Sequence, residues 1–244
     1  MCKMNCTDCN GCKAKWNKSG NTKVGGIWTW STLFSNDYFY IDKLCMEVKG
    51  TCGGHCLGCK EKCYVKKSYR YPSVKLGHAR NTVALRIDPD HVADLLIGQI
   101  KRAKKQPGGC RFNQSGEIEN TAQALAFIKI ANACPDKFFY IYTKAYDVII
   151  PLLLDGIVPD NMTVLISVWH EYGLEAYGLV KHLNNVKAFV YDDGFDYASH
   201  GLVINTYCKA YGQDGKMNHE ITCDKCTKCF NRLASHKVIG CYEH

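Results

Sequence analysis

No run of roughly 18 apolar residues occurs anywhere in the chain, so no membrane-crossing helix is expected, nor a membrane partner. No charged-then-apolar leader opens it, which sets the expectation of a cytoplasmic protein whose thiols stay reduced. No G-x-G-x-x-G turn follows the first expected strand, which argues against an open doubly wound dinucleotide-binding sheet. His170, Glu171 and Asp192 stand at no recognisable ligand spacing, so a metal-dependent hydrolase built on them ranks third among the readings.

What the chain has in excess is cysteine, sixteen in 244 residues. A chain this long buries its own core without staples, and in a reducing compartment clustered thiols point to metals rather than disulfides. Thr51 to Val65, TCGGHCLGCKEKCYV, carries Cys52, Cys56, Cys59 and Cys63 on one glycine-bearing loop. Thiols two or three residues apart can turn toward one point, whereas disulfides between such neighbours are strained. The C-x3-C-x2-C of Cys52, Cys56 and Cys59 leaves one iron of a 4Fe-4S cluster without a protein ligand. Cys63 offers a fourth ligand that would close the site. A second quartet, Cys2, Cys6, Cys9 and Cys12, opens the chain, and its order is expected to depend on metal. The tail adds Cys208 and the C-x2-C-x2-C of Cys223, Cys226 and Cys229, which a 4Fe-4S cluster or zinc satisfies equally. One to three 4Fe-4S clusters are therefore expected, with zinc as the alternative at the terminal groups. Cys45, Cys110 and Cys134 read as small core residues, and Cys241 as the near-end of a last strand.

The formal charge of +8 counts every thiol as neutral. Three thiolate-ligated sites of about −2 each would bring it near +2, so nucleic acid is a weakly supported partner. Lys101-Arg102-Ala103-Lys104-Lys105 and the tyrosines would form its binding face, although a solvated helix end explains the run more simply.

Strand and helix patterns alternate from residue 24 onward. VGGIWTWS reads as a strand, with a short hairpin before the cysteine loop. Helices are expected from near Ser73 and after Asp88-Pro89-Asp90, the latter on Val92, Leu95, Leu96 and Ile100. Then CRFNQS, KFFYIYT, MTVLISVW and VKAFVY read as strands separated by helices in ENTAQALAFIKIANA, AYDVIIPLLLDG and LEAYGLVKHL, followed by the strand GLVINT and, after the cysteine tail, a last strand in HKVIGCYEH. Regular alternation implies parallel strands with helical crossovers, and the expected fold is a TIM-like (β/α) barrel, complete or incomplete. The chain divides into a cysteine-rich metal-binding segment at 1–22, the barrel with its central cysteine loop at 23–206, and a cysteine-rich metal-binding segment with the last strand at 207–244. The chemistry is expected where the strands end, at Ser115-Gly116-Glu117, Thr143-Lys144, Trp169-His170-Glu171, Asp192-Asp193 and Thr206 to Cys208.

GNTKVGGIWTWS, the central cysteine loop ending in Cys-Tyr, YPSV followed by the Asn81 region, CRFNQSGE, FFYIYT and the terminal Cys-x2-Cys-x2-Cys stand in an order that resembles the gene product 88 family of phage and bacterial proteins. The resemblance implies a phage-encoded or bacterial protein working in a bacterial cytoplasm. That family in turn resembles a divergent branch of the radical S-adenosylmethionine barrels. The resemblance implies a 4Fe-4S cluster on the central loop, S-adenosylmethionine as cosubstrate, and an electron donor as partner. It places Ser115, Gly116 and Glu117 at the turn that binds the methionine amino group, with the Glu117 carboxylate suited to an ammonium. The competing interpretation of Glu117 is a helix N-terminal acid facing the dipole. The competing interpretation of the protein is a non-catalytic, zinc- or iron-sulfur-stabilised nucleic-acid-binding protein.

Overall fold

The computed structural model describes residues 14–18, 23–53, 57–210, 212–214, 216, 218–231 and 235–242. Cys2, Cys6, Cys9, Cys12 and Cys56 lie outside the described residues. The strands are β1 (Trp28–Thr29), β2 (Tyr38–Ile41), β3 (Met46–Lys49), β4 (Cys110–Phe112), β5 (Phe139–Thr143), β6 (Met162–Val168), β7 (Val186–Asp192), β8 (Thr206–Tyr207) and β9 (Val238–Tyr242). The helices are α1 (Leu57–Glu61), α2 (Val65–Ser68), α3 (Pro72–Ile87), α4 (Pro89–Lys101), α5 (Thr121–Ala133), α6 (Tyr146–Leu154), α7 (Leu174–Val180) and α8 (Cys223–Cys226).

Seven strands form one parallel sheet in the order β1-β4-β5-β6-β7-β9-β8, and β2 and β3 pair as an antiparallel hairpin. From β1 to β7 the order advances in one direction, as helical crossovers between neighbouring parallel strands produce. β1 and β8 are the edges among the described residues, and no ladder joins them. The α/β class and the parallel sheet are as expected; closure into a barrel is not observed.

Strand parity divides the sheet into two faces. Phe112, Phe139, Ile141, Val164, Ile166, Val168, Ala188 and Val190 turn to one face and join the main core with residues of α3 to α7. There Phe112 stacks on Phe127 of α5 with centroids 4.4 Å apart. Such continuous apolar content is what a strand covered on both faces requires, and all seven residues of β6 are buried. Two helix starts are capped by side chains: Asp88 accepts from the His91 N–H at 2.9 Å and Asn120 from the Gln123 N–H at 3.0 Å.

The opposite face carries Arg111, Tyr140, Tyr142, Thr163, Leu165, Ser167, Lys187, Phe189, Ile239 and Cys241. Part of it is covered by the chain's own tail, through a second apolar cluster of Val24, Ile27, Tyr140, Leu165, Phe230 and Ile239. Cys110 and Cys134 are buried as expected. Cys45 is not: it is exposed at the left-handed turn (φ 49°) between a short 3-10 turn and β3, which aims its side chain away from the core.

Candidate functional site

The central cysteine loop is fixed at its start to the turn after β4. Thr51 donates its hydroxyl to the Leu33 carbonyl at 2.9 Å and accepts from the Glu117 N–H at 2.8 Å. Thr32 lies 3.0 Å from Thr51 Oγ1, and Ser115 donates its hydroxyl to the Thr32 carbonyl at 2.9 Å. The Cys52 N–H donates to the Ser35 carbonyl at 2.8 Å, so the first cysteine leaves this network already oriented. Gly116 completes it, at φ 80° and so close to Thr32 that a Cβ would lie 2.0 Å from its hydroxyl.

Glu117 is 7% exposed and its carboxylate is held by its own chain. Oε1 accepts from the Ile118 N–H and the Thr143 hydroxyl, both at 2.8 Å, and Oε2 from the Lys144 N–H at 2.6 Å. Burial pushes its pKa up, while these bonds and the Lys144 charge oppose the rise. A carboxylate has about four acceptor positions, so one remains on a group that lacks solvent and would gain from a cation. Cys52 lies within electrostatic range of Glu117, Cys59 and Cys63. Burial raises the Cys52 and Cys63 thiols, with the Glu117 charge adding to the rise at Cys52. A bound metal cation reverses that balance, because coordination deprotonates a thiol outright.

A second group forms on the far side of the same cavity. Cys208 follows β8, its N–H donates to the Gly240 carbonyl at 2.8 Å, and its thiol is hydrogen-bonded with that of Cys241 on β9. That bond lowers the Cys208 pKa to about 6, against the opposing effect of burial, with Lys23 adding to the decrease. Cys223 lies in range of Cys208 and Cys226. Burial pushes Cys229 up to about 12, opposed by a hydrogen bond with Tyr142. The segment is tied down by the Gly26 N–H to Asp224 at 2.8 Å and the Cys223 N–H to the Lys23 carbonyl at 2.8 Å. Beneath it, fully buried Lys187 donates to the carbonyls of Lys228 at 2.7 Å and Asn231 at 2.8 Å.

Between the two groups lies a cavity of about 400 Å³, whose lining includes Cys52, Cys59, Cys63, Glu117, Cys223 and Cys229. Ser115 and Gly116 line it too, so the strand-end turn and seven of the expected ligands face one space: Cys52, Cys59, Cys63, Cys208, Cys223, Cys226 and Cys229. Among the described residues no three His, Cys, Asp or Glu side chains converge on a point that a single metal ion could occupy. The hydrolase set does not assemble: His170 pairs with Asp193 at 2.8 Å, Asp192 accepts from the Tyr207 hydroxyl at 2.7 Å, and Glu171 is exposed.

A family model described as Gene product 88 matches residues 8–232. The chain belongs to the gene product 88 family. No curated protein and no solved structure gives a match. The span matched by the gene product 88 model contains the central loop, Ser115 to Glu117 and Cys208 to Cys229, and stops short of β9. Cys241 therefore enters the site from outside that span, and the reading of it as only the end of a strand missed its partner Cys208. Parity was the available signal, since alternate residues of a buried strand face the same side. It also marks Arg111, a charge in the middle of CRFNQS on the face opposite Cys110 and Phe112.

Proposed function

We propose that this member of the gene product 88 family is an iron-sulfur protein of the radical S-adenosylmethionine type, built on an incomplete (β/α) barrel. The observation that carries the reading is the network of Thr51, Thr32 and Ser115, which holds the base of the cysteine loop against the Ser115-Gly116-Glu117 turn at a strand end. Cys52, Cys59 and Cys63, with Cys56 beside them in sequence, are the residues that would hold a 4Fe-4S cluster; soft thiolates suit iron. Cys208, Cys223, Cys226 and Cys229 would hold an auxiliary cluster or zinc, and Cys2, Cys6, Cys9 and Cys12 a further one. Reductive cleavage of a sulfonium is the chemistry such a cofactor supplies when bound, and it calls for an external electron donor. The chain's own part is to bind and to shield. Glu117 offers its remaining acceptor position to the cosubstrate ammonium, Gly116 lets the turn come close to the loop, and the tail closes the sheet face against water.

The test is anaerobic purification with iron, sulfide and zinc analysis and electron paramagnetic resonance, with and without S-adenosylmethionine. Cys52→Ala and Cys59→Ala should lower iron content. Glu117→Gln should keep its iron and lose cosubstrate affinity by roughly 10- to 100-fold, the worth of one charged hydrogen bond of about 1.5–3 kcal/mol. Thermal unfolding of Glu117→Gln controls for the bonds from Thr143 and Lys144. A colourless protein with stoichiometric zinc, or a cluster spectrum indifferent to S-adenosylmethionine, sinks the proposal.

A further inference from the structure

In the wall of the cavity, at β4 beside the edge strand, an arginine has one buried donor without a partner and an asparagine has both ends of its amide unpaired. Arg111 is half-buried, with its guanidinium carbon 4.4 Å from the Tyr142 ring centroid and a hydrogen bond to the Tyr64 phenol, while its Nε is buried with no hydrogen-bond partner. Among the described residues no carboxylate forms an ion pair with it. After burial, which opposes its charge, the groups acting on it are the phenols of Tyr64, Tyr142 and Tyr140 and the Cys223 thiol, and its charge reaches Cys208 as well. Asn113, two residues on, is 3% exposed, lines the same cavity, and has neither Nδ2 nor Oδ1 paired. It also holds a left-handed conformation at φ 46°, a cost that asparagine bears better than most residues but that still needs a return.

A guanidinium whose Nε is buried without a partner and which no carboxylate neutralises, and an amide with both ends open, are each costly. Neutral phenols cannot supply the missing charge, and Glu117, the one carboxylate among the described lining residues, is held by Thr143 and the backbone and forms no ion pair with Arg111. A ligand oxyanion satisfies both residues at once, since the guanidinium fork matches carboxylate or phosphate oxygens and the amide can donate to a third oxygen. Were Arg111 only a counter-charge for the thiols, a lysine would serve equally and Asn113 would stay unexplained.

We propose that Arg111 and Asn113 form an oxyanion subsite, and that the substrate is a small molecule bearing a carboxylate or phosphate that enters the cavity with this group first. The proposal rests on the cavity being the substrate site, as argued above, and requires no particular metal in either cysteine group.

The experiment is calorimetric titration of the anaerobically purified full chain with inorganic phosphate and, separately, with malonate, at low ionic strength. Wild type is expected to bind one probe more tightly, with Kd on the order of millimolar, and the better probe names the source of the oxyanion. Arg111→Met should abolish binding, Arg111→Lys weaken it about tenfold by losing the fork, and Asn113→Asp weaken it at least as much by repulsion, all with unchanged metal content. If Arg111→Met fails to fold, the lysine and aspartate variants carry the test. Absence of binding by wild type to both probes, full affinity in Arg111→Lys and Asn113→Asp, or loss of metal from Arg111→Met with anion binding intact would each overturn the subsite. A zinc-only protein that binds phosphate through Arg111 removes the radical assignment and leaves the subsite standing; a cosubstrate-responsive cluster without anion binding does the reverse.

Discussion

Gly116 has the least freedom to change of any residue in the site. Its φ of 80° is strained for a side chain, and a Cβ there would meet the hydroxyls of Thr32 at 2.0 Å and Thr51 at 2.6 Å, both short and held by hydrogen bonds. Gly116→Ala should therefore destabilise by roughly 2–4 kcal/mol, whereas Gly77→Ala in α3, where a Cβ meets nothing within 4 Å, should stabilise by about 0.5–1 kcal/mol. Denaturant midpoints of the two variants against wild type check both signs. His78 supplies a pH prediction. Burial lowers its pKa from 6.5 to about 4, and its Nδ1 stands 3.2 Å from the Tyr69 hydroxyl. The folded ring stays neutral where the unfolded one protonates, so the unfolded state binds the extra proton and stability falls as pH drops from 6.5 toward 4. The loss is at most roughly 3 kcal/mol and absent above the upper value. His78→Gln should flatten that stretch of the stability profile; an unchanged slope would assign it to another group.

The tail that covers the cavity face, residues 218–231, is held by few bonds to the sheet, and Lys187 makes two of them. Lys187→Met removes the donor from both half-buried bonds, a loss of about 0.5–1.5 kcal/mol for each. Its consequence should be local: hydrogen exchange faster by tenfold or more across 222–231, with β5 to β7 protected as before. Uniform loss of protection would show that the tail and the sheet unfold as one unit. Chelation should produce the same order of events, tail first, since the sheet has its own apolar core on the other face. Periodicity located β5, β6, β7 and α3 to α7 because each buries a face of period 2 or 3.6 against the sheet or its helices. It overextended β1 and β8. VGGIWTWS and GLVINT have strand composition, yet the ladders hold only Trp28–Thr29 and, reaching one residue beyond GLVINT, Thr206–Tyr207. Both lie at sheet edges, where Thr29 gains only a single bridge to Asn17 on its outer side and Trp30 continues with isolated bonds to Arg111 and Gln114.

In the whole molecule the two cysteine groups share a cavity but hang from different parts of the chain, one from the loop before α3 and one from the tail across Lys187 and Asp224. Metal should therefore leave one without leaving the other. Cys52→Ala is expected to lower metal per chain by one site's complement, and Cys223→Ala by another, with losses adding in the double variant, as determined by elemental analysis of anaerobic samples. Complete loss from either single variant would show that neither group forms without its counterpart.

Cysteine spacing, strand alternation and helix periodicity are local quantities, and they were enough to determine a parallel α/β chain with thiol groups at its loop and tail. Within one segment a few residues set which atoms can reach one another. Closure of the sheet is a different kind of quantity. It depends on whether β1 and β8, about 180 residues apart in sequence, meet an edge partner, and no local pattern carries that information. The same holds for the placing of Cys241 beside Cys208, Thr51 beneath Glu117, and Arg111 facing phenols instead of a carboxylate. Each joins residues from distant segments across the face of the sheet, and the decision was made by packing: the tail had to bury Phe230 and Ile239 on Tyr140 and Leu165, and that brought its cysteines opposite the loop.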